Sequence, residues 1–391
     1  MYPACLRIRM EFVSLLLICA AAAATPSPAE MDLITPDEMD LVELRQRLVN
    51  FAEPQHAQCP PDQVLEALQA DLAKAYQLHK PYYGAYMSLH DQLRSDMELD
   101  FWTLQHLQDA LLLKMVHEYA LGAYDEMTAT LLCLFEYCVI YAGKSTQTEW
   151  GMRWILQRNL YDVVYVLDLL RFIETKAGST LYGLLLKQAE ERQLTAVLLN
   201  DCIPHMGAFF YGTFGSGNFL IRSTGKIYGS SFFKQRETNH IMEYAQYLRR
   251  CLEEGKCLND YEAYTLTGGS WMPGRIYAQK MIKIWEHTLK CEYTLKNTAR
   301  ILLWTLLVYA HKDNTGAYPN SLLEITPEVL PEAQTAGRPA PNSLVTGMPL
   351  IYELGSDTFT INGGPEYRSL SGQGGKPVGE TIYVGCFTDK D

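Results

Sequence analysis

Glu237-Thr238-Asn239-His240 is the pattern in this chain with the most chemistry in it. On a helix, a spacing of i, i+3 puts the carboxylate and the imidazole on one face. A di-iron bundle uses Glu-x-x-His from each of two helices together with two further carboxylates. The other match, Glu53-Pro54-Gln55-His56, contains a proline and lies near a helix end, so no metal is expected. Acid–base catalysis is the second possibility. His205 follows Pro204 at the mouth of a glycine-rich stretch, and with Glu237 and His240 it completes a candidate catalytic set. The plain alternative is a pair that is solvated or caps a helix.

Other motifs fail at identifiable atoms. Gly225-Lys226 lacks the earlier P-loop glycine, and Ile227 replaces the hydroxyl that would meet magnesium. Ser231-Phe232-Phe233-Lys234 has the S-x-x-K spacing without the companion K-T-G. His117-Glu118 begins like a zincin helix, but Leu121 stands where the second imidazole belongs. No cofactor is expected.

The elements that must position these residues read as helices. Apolar residues recur at helical spacing over 36–53, 61–80, 98–121, 125–142 and 149–175. They recur again over 181–206, 234–254, 258–266, 273–290 and 291–311. Thr35 and Pro36 suit the start of the first helix, and Pro61 and Asp62 the start of the second. Glu136, Arg153, Arg158, Asp162 and Asp168 interrupt the apolar runs, which marks packed soluble helices rather than membrane spans. Leu121-Gly122-Ala123-Tyr124-Asp125-Glu126 has the look of a tetratricopeptide turn, but no second copy follows at a 34-residue period. Residues 207–231 break the helical pattern with six glycines and four phenylalanines, the composition of a loop or hairpin between helices.

The chain of 391 residues is 48% apolar and 20% charged, which fits globular material. Its net charge of −12 argues against nucleic acid as a partner, because phosphate binding needs clustered Lys and Arg. Arg7 and Arg9, the apolar run Phe12–Ala24 and the small residues Ala20–Ala24 have the order of a secretory signal. Residues 1–24 are therefore read as a signal peptide, and no membrane span is expected after its cleavage. Export permits disulfides. Cys133 and Cys138 diverge on a helix, whereas Cys251 and Cys257 flank a turn and form the expected bridge.

The pattern changes near residue 290. A long apolar helix from Leu295 to Tyr309 runs into His311-Lys312-Asp313-Asn314-Thr315-Gly316-Ala317-Tyr318-Pro319-Asn320-Ser321-Leu322. Thr346-Gly347-Met348-Pro349 and two short β runs, 349–353 and 358–361, follow. This region resembles the globular part of type II secretion major pseudopilins, and more closely the tails of uncharacterised exported bacterial proteins with the same module. The family's Asp-Pro-aromatic is here Ser343-Leu344-Val345, so the calcium it binds near these loops is not implied. The resemblance implies a structural or assembly module of an exported protein.

These readings combine into a mainly α protein with a multi-helix body and a small C-terminal α+β module, a helix plus a short antiparallel sheet. The helical domain spans 30–290, with its glycine-rich loop at 207–231, and the module and tail span 291–391. The expected role is a non-enzymatic binding, scaffold or envelope-associated protein, periplasmic or extracellular, with an unidentified protein or envelope partner. The alternative is an extracytoplasmic hydrolase with a cleft around the 207–231 loop.

Overall fold

The computed structural model describes residues 61–94, 101–142, 156–164, 167–190, 231–260, 276–355 and 359–362, and part of 41–48. The helices are α1 (Pro61–His79), α2 (Tyr83–Arg94), α3 (Phe101–Ala120), α4 (Tyr124–Ala142), α5 (Thr175–Glu190), α6 (Ser231–Glu253), α7 (Ile276–Thr315) and α8 (Pro331–Ala336). Residues 156–164 are also helical, and a 3-10 turn (Leu169–Phe172) leads into α5. Two strands, β1 (Ile351–Leu354) and β2 (Phe359–Asn362), pair antiparallel with Leu354 opposite Phe359. The mainly α architecture with a small C-terminal sheet is thus present, and 79% of the described residues are helical.

Periodicity accounts for the layering. In α1, Leu68, Leu72 and Ala75 are buried at helical spacing while Glu66, Ala67, Gln69 and Ala70 face solvent. Each fully buried leucine contributes about 1.5–3 kcal/mol. α3 is buried almost all round because α1 and α4 pack on it. α4 packs on α5, and α5 on α7. Among the described residues, no helix is long and apolar enough to cross a membrane.

Several boundaries differ from the sequence reading. Helix α2 stands where no helix is expected, after a 3-10 turn (Lys80–Tyr82) that carries Pro81. The helices expected over 273–290 and 291–311 are one continuous α7, since Lys290-Cys291-Glu292 offers neither glycine nor proline to break it. The run 149–175 is interrupted at Asp168, whose φ of 47° lies in the left-handed region.

The module folds back onto α7. Gly316, at φ 81°, ends the helix, and its N–H donates to the Lys312 carbonyl at 2.7 Å. The chain then returns through two 3-10 turns and α8, and the hairpin follows. The Phe359 ring lies 5.3 Å from Tyr309 and 5.2 Å from Tyr318. The apolar cluster runs without a gap from Leu41 through α7 to Phe359 and Ile361. Residues 301–310 are all buried. This half of α7 meets both the body and the tail. Leu306 meets body residues Ile173 and Gly178, and the guanidinium of Arg338 in the tail lies over Trp304 at 5.8 Å.

The expected Cys251–Cys257 bridge does not form, and both are free thiols. The cause is the way α6 ends. Lys256 N–H donates to the Cys251 carbonyl and Gly255 N–H to that of Leu252, a Schellman turn with Gly255 at φ 66°. Cys251 stays buried on the helix, while the turn sends Cys257 toward the tail, against Gly347.

Candidate functional site

Glu237 sits on α6 with no solvent exposure. Its Oε2 accepts the backbone N–H of Ala278, the third residue of α7, at 2.8 Å. The first N–H groups of a helix lack intrahelical partners, and the positive end of the helix dipole favours an anion there. Glu237 therefore caps α7 from a neighbouring helix, and its acceptor oxygen is held in the fold. His240, one turn on, has Nδ1 3.5 Å from Oε2 of Glu243 on the same helix. Neither of its ring nitrogens has a hydrogen-bond partner among the described residues. His205, most of the 207–231 loop and the Glu53–His56 match lie outside the described residues. Of the candidate set, the structure places two members and gives one of them the capping role.

Other buried polar groups are arranged more tightly. Asp109, fully buried on α3, pairs with Arg45 at 3.1 Å. Burial pushes its carboxyl up to about 7, against the pull of the guanidinium. Nearby, the His106 and His79 rings lie 5.4 Å apart, and burial lowers the pKa of His106. Glu118, Lys114 and Thr130 form a closed network, with Lys114 donating to both partners and Thr130 donating to Glu118 at 2.8 Å. His117, the first residue of the zincin-like pair, packs its ring 4.2 Å from that of Tyr76.

Asp168 is the most unusual of these residues. Among the described residues it is the only non-glycine with positive φ, a conformation that carries strain. It is 5% exposed. The Tyr309 hydroxyl from α7 lies 2.8 and 2.6 Å from its two oxygens and donates to the carboxylate. Burial pushes Asp168 up to about 7, while the Tyr309 hydrogen bond and Arg171 pull the other way. Burial and the facing carboxylate together raise Tyr309 well above its usual range. Tyr309 also lines a crevice with Ile173, Gly178, Leu306 and Leu330, whose volume of about 10 Å3 has room for about one water molecule. Ligand pockets usually hold about 300–1,000 Å3, so this crevice does not take a ligand. The sequence signal for Asp168 was an acid inside Leu167-Asp168-Leu169-Leu170, but nothing local names Tyr309 as its partner.

Among the described residues, no three His, Cys, Asp or Glu side chains converge as metal ligands. Comparisons of the chain with protein-family models, curated proteins and solved structures find no match.

Proposed function

We propose that this protein is an exported, non-enzymatic binding or scaffold protein of the cell envelope, with a pseudopilin-like module at its C-terminus. The observation that carries the reading is the Glu237–Ala278 hydrogen bond. A general acid or base must reach the substrate proton, and this carboxylate is buried against a helix end instead. Exposed apolar side chains support the binding role. Leu121 is 69% exposed at the α3–α4 turn, beside Tyr124, which stacks on Phe172 at 4.4 Å. Leu323 and Met348 stand out from the tail. The order of long helix, glycine turn and hairpin supports the likeness to the pseudopilin module.

Expression in a bacterium with the leader tests the reading. The protein should fractionate outside the cytoplasm with its N-terminus near Thr25. Charging the exposed positions, Leu121→Glu with Leu323→Glu, should release it from the envelope fraction without changing its thermal unfolding. A cytoplasmic product with its leader intact, or unchanged association of the charged variant, contradicts the proposal.

A further inference from the structure

The turn at 168–172 joins several parts of the molecule at one residue. Asp168 begins it in the left-handed conformation, and Arg171 N–H donates back to the Asp168 carbonyl at 3.2 Å. Leu169 and Leu170 are buried beneath it. Phe172, at its end, stacks on Tyr124 and meets Tyr119 edge-on at 5.4 Å, with the Arg171 guanidinium over its ring. From the opposite side, α7 presents Tyr309 to the carboxyl group.

We propose that Asp168 is a proton-operated latch. With its carboxyl neutral, the 168–172 turn stays seated between Tyr309 and the Tyr119–Tyr124–Phe172 stack; with the carboxylate ionised, the turn lifts toward water.

Opening does two favourable things for the ionised form. It hydrates a charge that burial penalises, and it frees Asp168 from a backbone conformation that side chains disfavour. What opposes opening is the burial of Leu169 and Leu170 and the aromatic stack. Among the described residues, Tyr309 and Arg171 are the groups that act on the carboxyl. Arg171 belongs to the turn itself. Tyr309 comes from α7, backed by Tyr318, whose hydroxyl accepts from Lys312 Nζ at 3.1 Å. Asp313 lines the crevice on the same helix. On the described part of the helix before the turn, Tyr161 donates to Gln188 and Asp162 pairs with Arg158 at 3.8 Å, while Val163 and Val164 are uncharged. The carboxyl titrates near 3.8 when exposed and is pushed to about 7 here. Three pH units correspond to a bias of about a thousandfold on the opening equilibrium.

Hydrogen exchange of the full chain, read by mass spectrometry on peptides covering 167–174 and corrected for intrinsic rates, tests the latch. Arg171 and Ile173 amides are the reporters, since both donate within the turn. Their protection should fall at least about tenfold as pH rises from 5.5 and should level off above about pH 7, where the closed-state carboxyl has ionised. Asp168→Asn keeps a neutral side chain that tolerates the left-handed region and should stay protected at all these pH values. Tyr309→Phe removes a hydrogen bond that favours the charged form, so its profile should level off at a higher pH. Arg171→Gln should do the same less strongly, and it serves if Asp168→Asn fails to fold. A flat wild-type profile, an Asn variant that still titrates, or a Phe variant that levels off at a lower pH overturns the proposal.

Discussion

Glu237 and Asp168 are both carboxylates buried against α7, at its two ends, and their settings differ. Glu237 sits at the start of the helix, where a backbone N–H needs an acceptor, and its own backbone is ordinary helix. Asp168 faces the second half of α7, in a strained turn, with the Tyr309 phenol on its carboxyl group. The first matches an anion to donors that would otherwise be unsatisfied. The second places a carboxyl where charge is disfavoured. The surroundings differ in the same direction. The first half of α7 contributes Ala278, Ile282, Trp285 and Leu289 to a layer covered by α6. The second half lies inside the main core, where residues 301–310 have no exposed side. Buried carboxylates thus serve as fasteners in one region and as a stored constraint in the other.

The largest effect expected from this contrast is in the second half. Trp304→Ala should destabilise the protein by about 3–5 kcal/mol in chemical denaturation, because the residue is fully buried on all sides. Trp285→Ala should fall at the lower end of that range, since among the described residues α6 is the element that packs on that half of α7. Equal losses would remove the contrast.

Next comes pH. Asp109 and Asp168 have folded-state values near 7, above the ordinary 3.8. A raised carboxyl contributes stability that is complete below the unfolded value and is lost as pH rises through the folded one. Thermal stability should therefore increase on acidification from pH 8 to 6.5, by a few kcal/mol at most. His106 acts oppositely. Its value is lowered from 6.5, so its contribution is present above that pH and lost below it. Scanning calorimetry of Asp168→Asn should show a shallower slope between pH 8 and 6.5 than wild type. An identical slope would mean that Asp168 does not titrate there.

A smaller effect is expected at Glu237. Glu237→Ala leaves the first turn of α7 without its acceptor and should cost about 1–2 kcal/mol, the usual loss for a cap. The smallest change is favourable. A Cβ at Gly178 would lie 3.6–3.8 Å from Leu330, Leu306 and Ile173, at ordinary contact distance beside the crevice. Gly178→Ala should raise stability by about 1 kcal/mol through helix propensity alone. A loss instead would show that the crevice cannot accept a methyl group.

The helices were legible because their apolar faces repeat, and the hairpin because 349–353 and 358–361 flank Gly355. Helix α2 was hidden by Pro81 and Gly84, which read as a break although both fall at or before its first turn. The kink at Asp168 was hidden because Leu-Asp-Leu-Leu-Arg-Phe is compatible with helix, and its hydrogen-bond partner on α7 lies 141 residues away. Glu237 was singled out from its spacing to His240, yet its role depends on Ala278, 41 residues on. Local spacing records which side chains share a face and leaves open what that face meets.

The exchange rate of the Ala278 amide in wild type and in Glu237→Ala, followed by site-resolved NMR of the full chain, tests the capping role most directly. The account predicts a protected amide in wild type, and in the variant exchange faster by at least about tenfold relative to Leu303 in the middle of α7, a local loss of the acceptor. An Ala278 amide that exchanges equally in both proteins would show that the carboxylate is not held by the helix end and would return Glu237 to the candidate catalytic set.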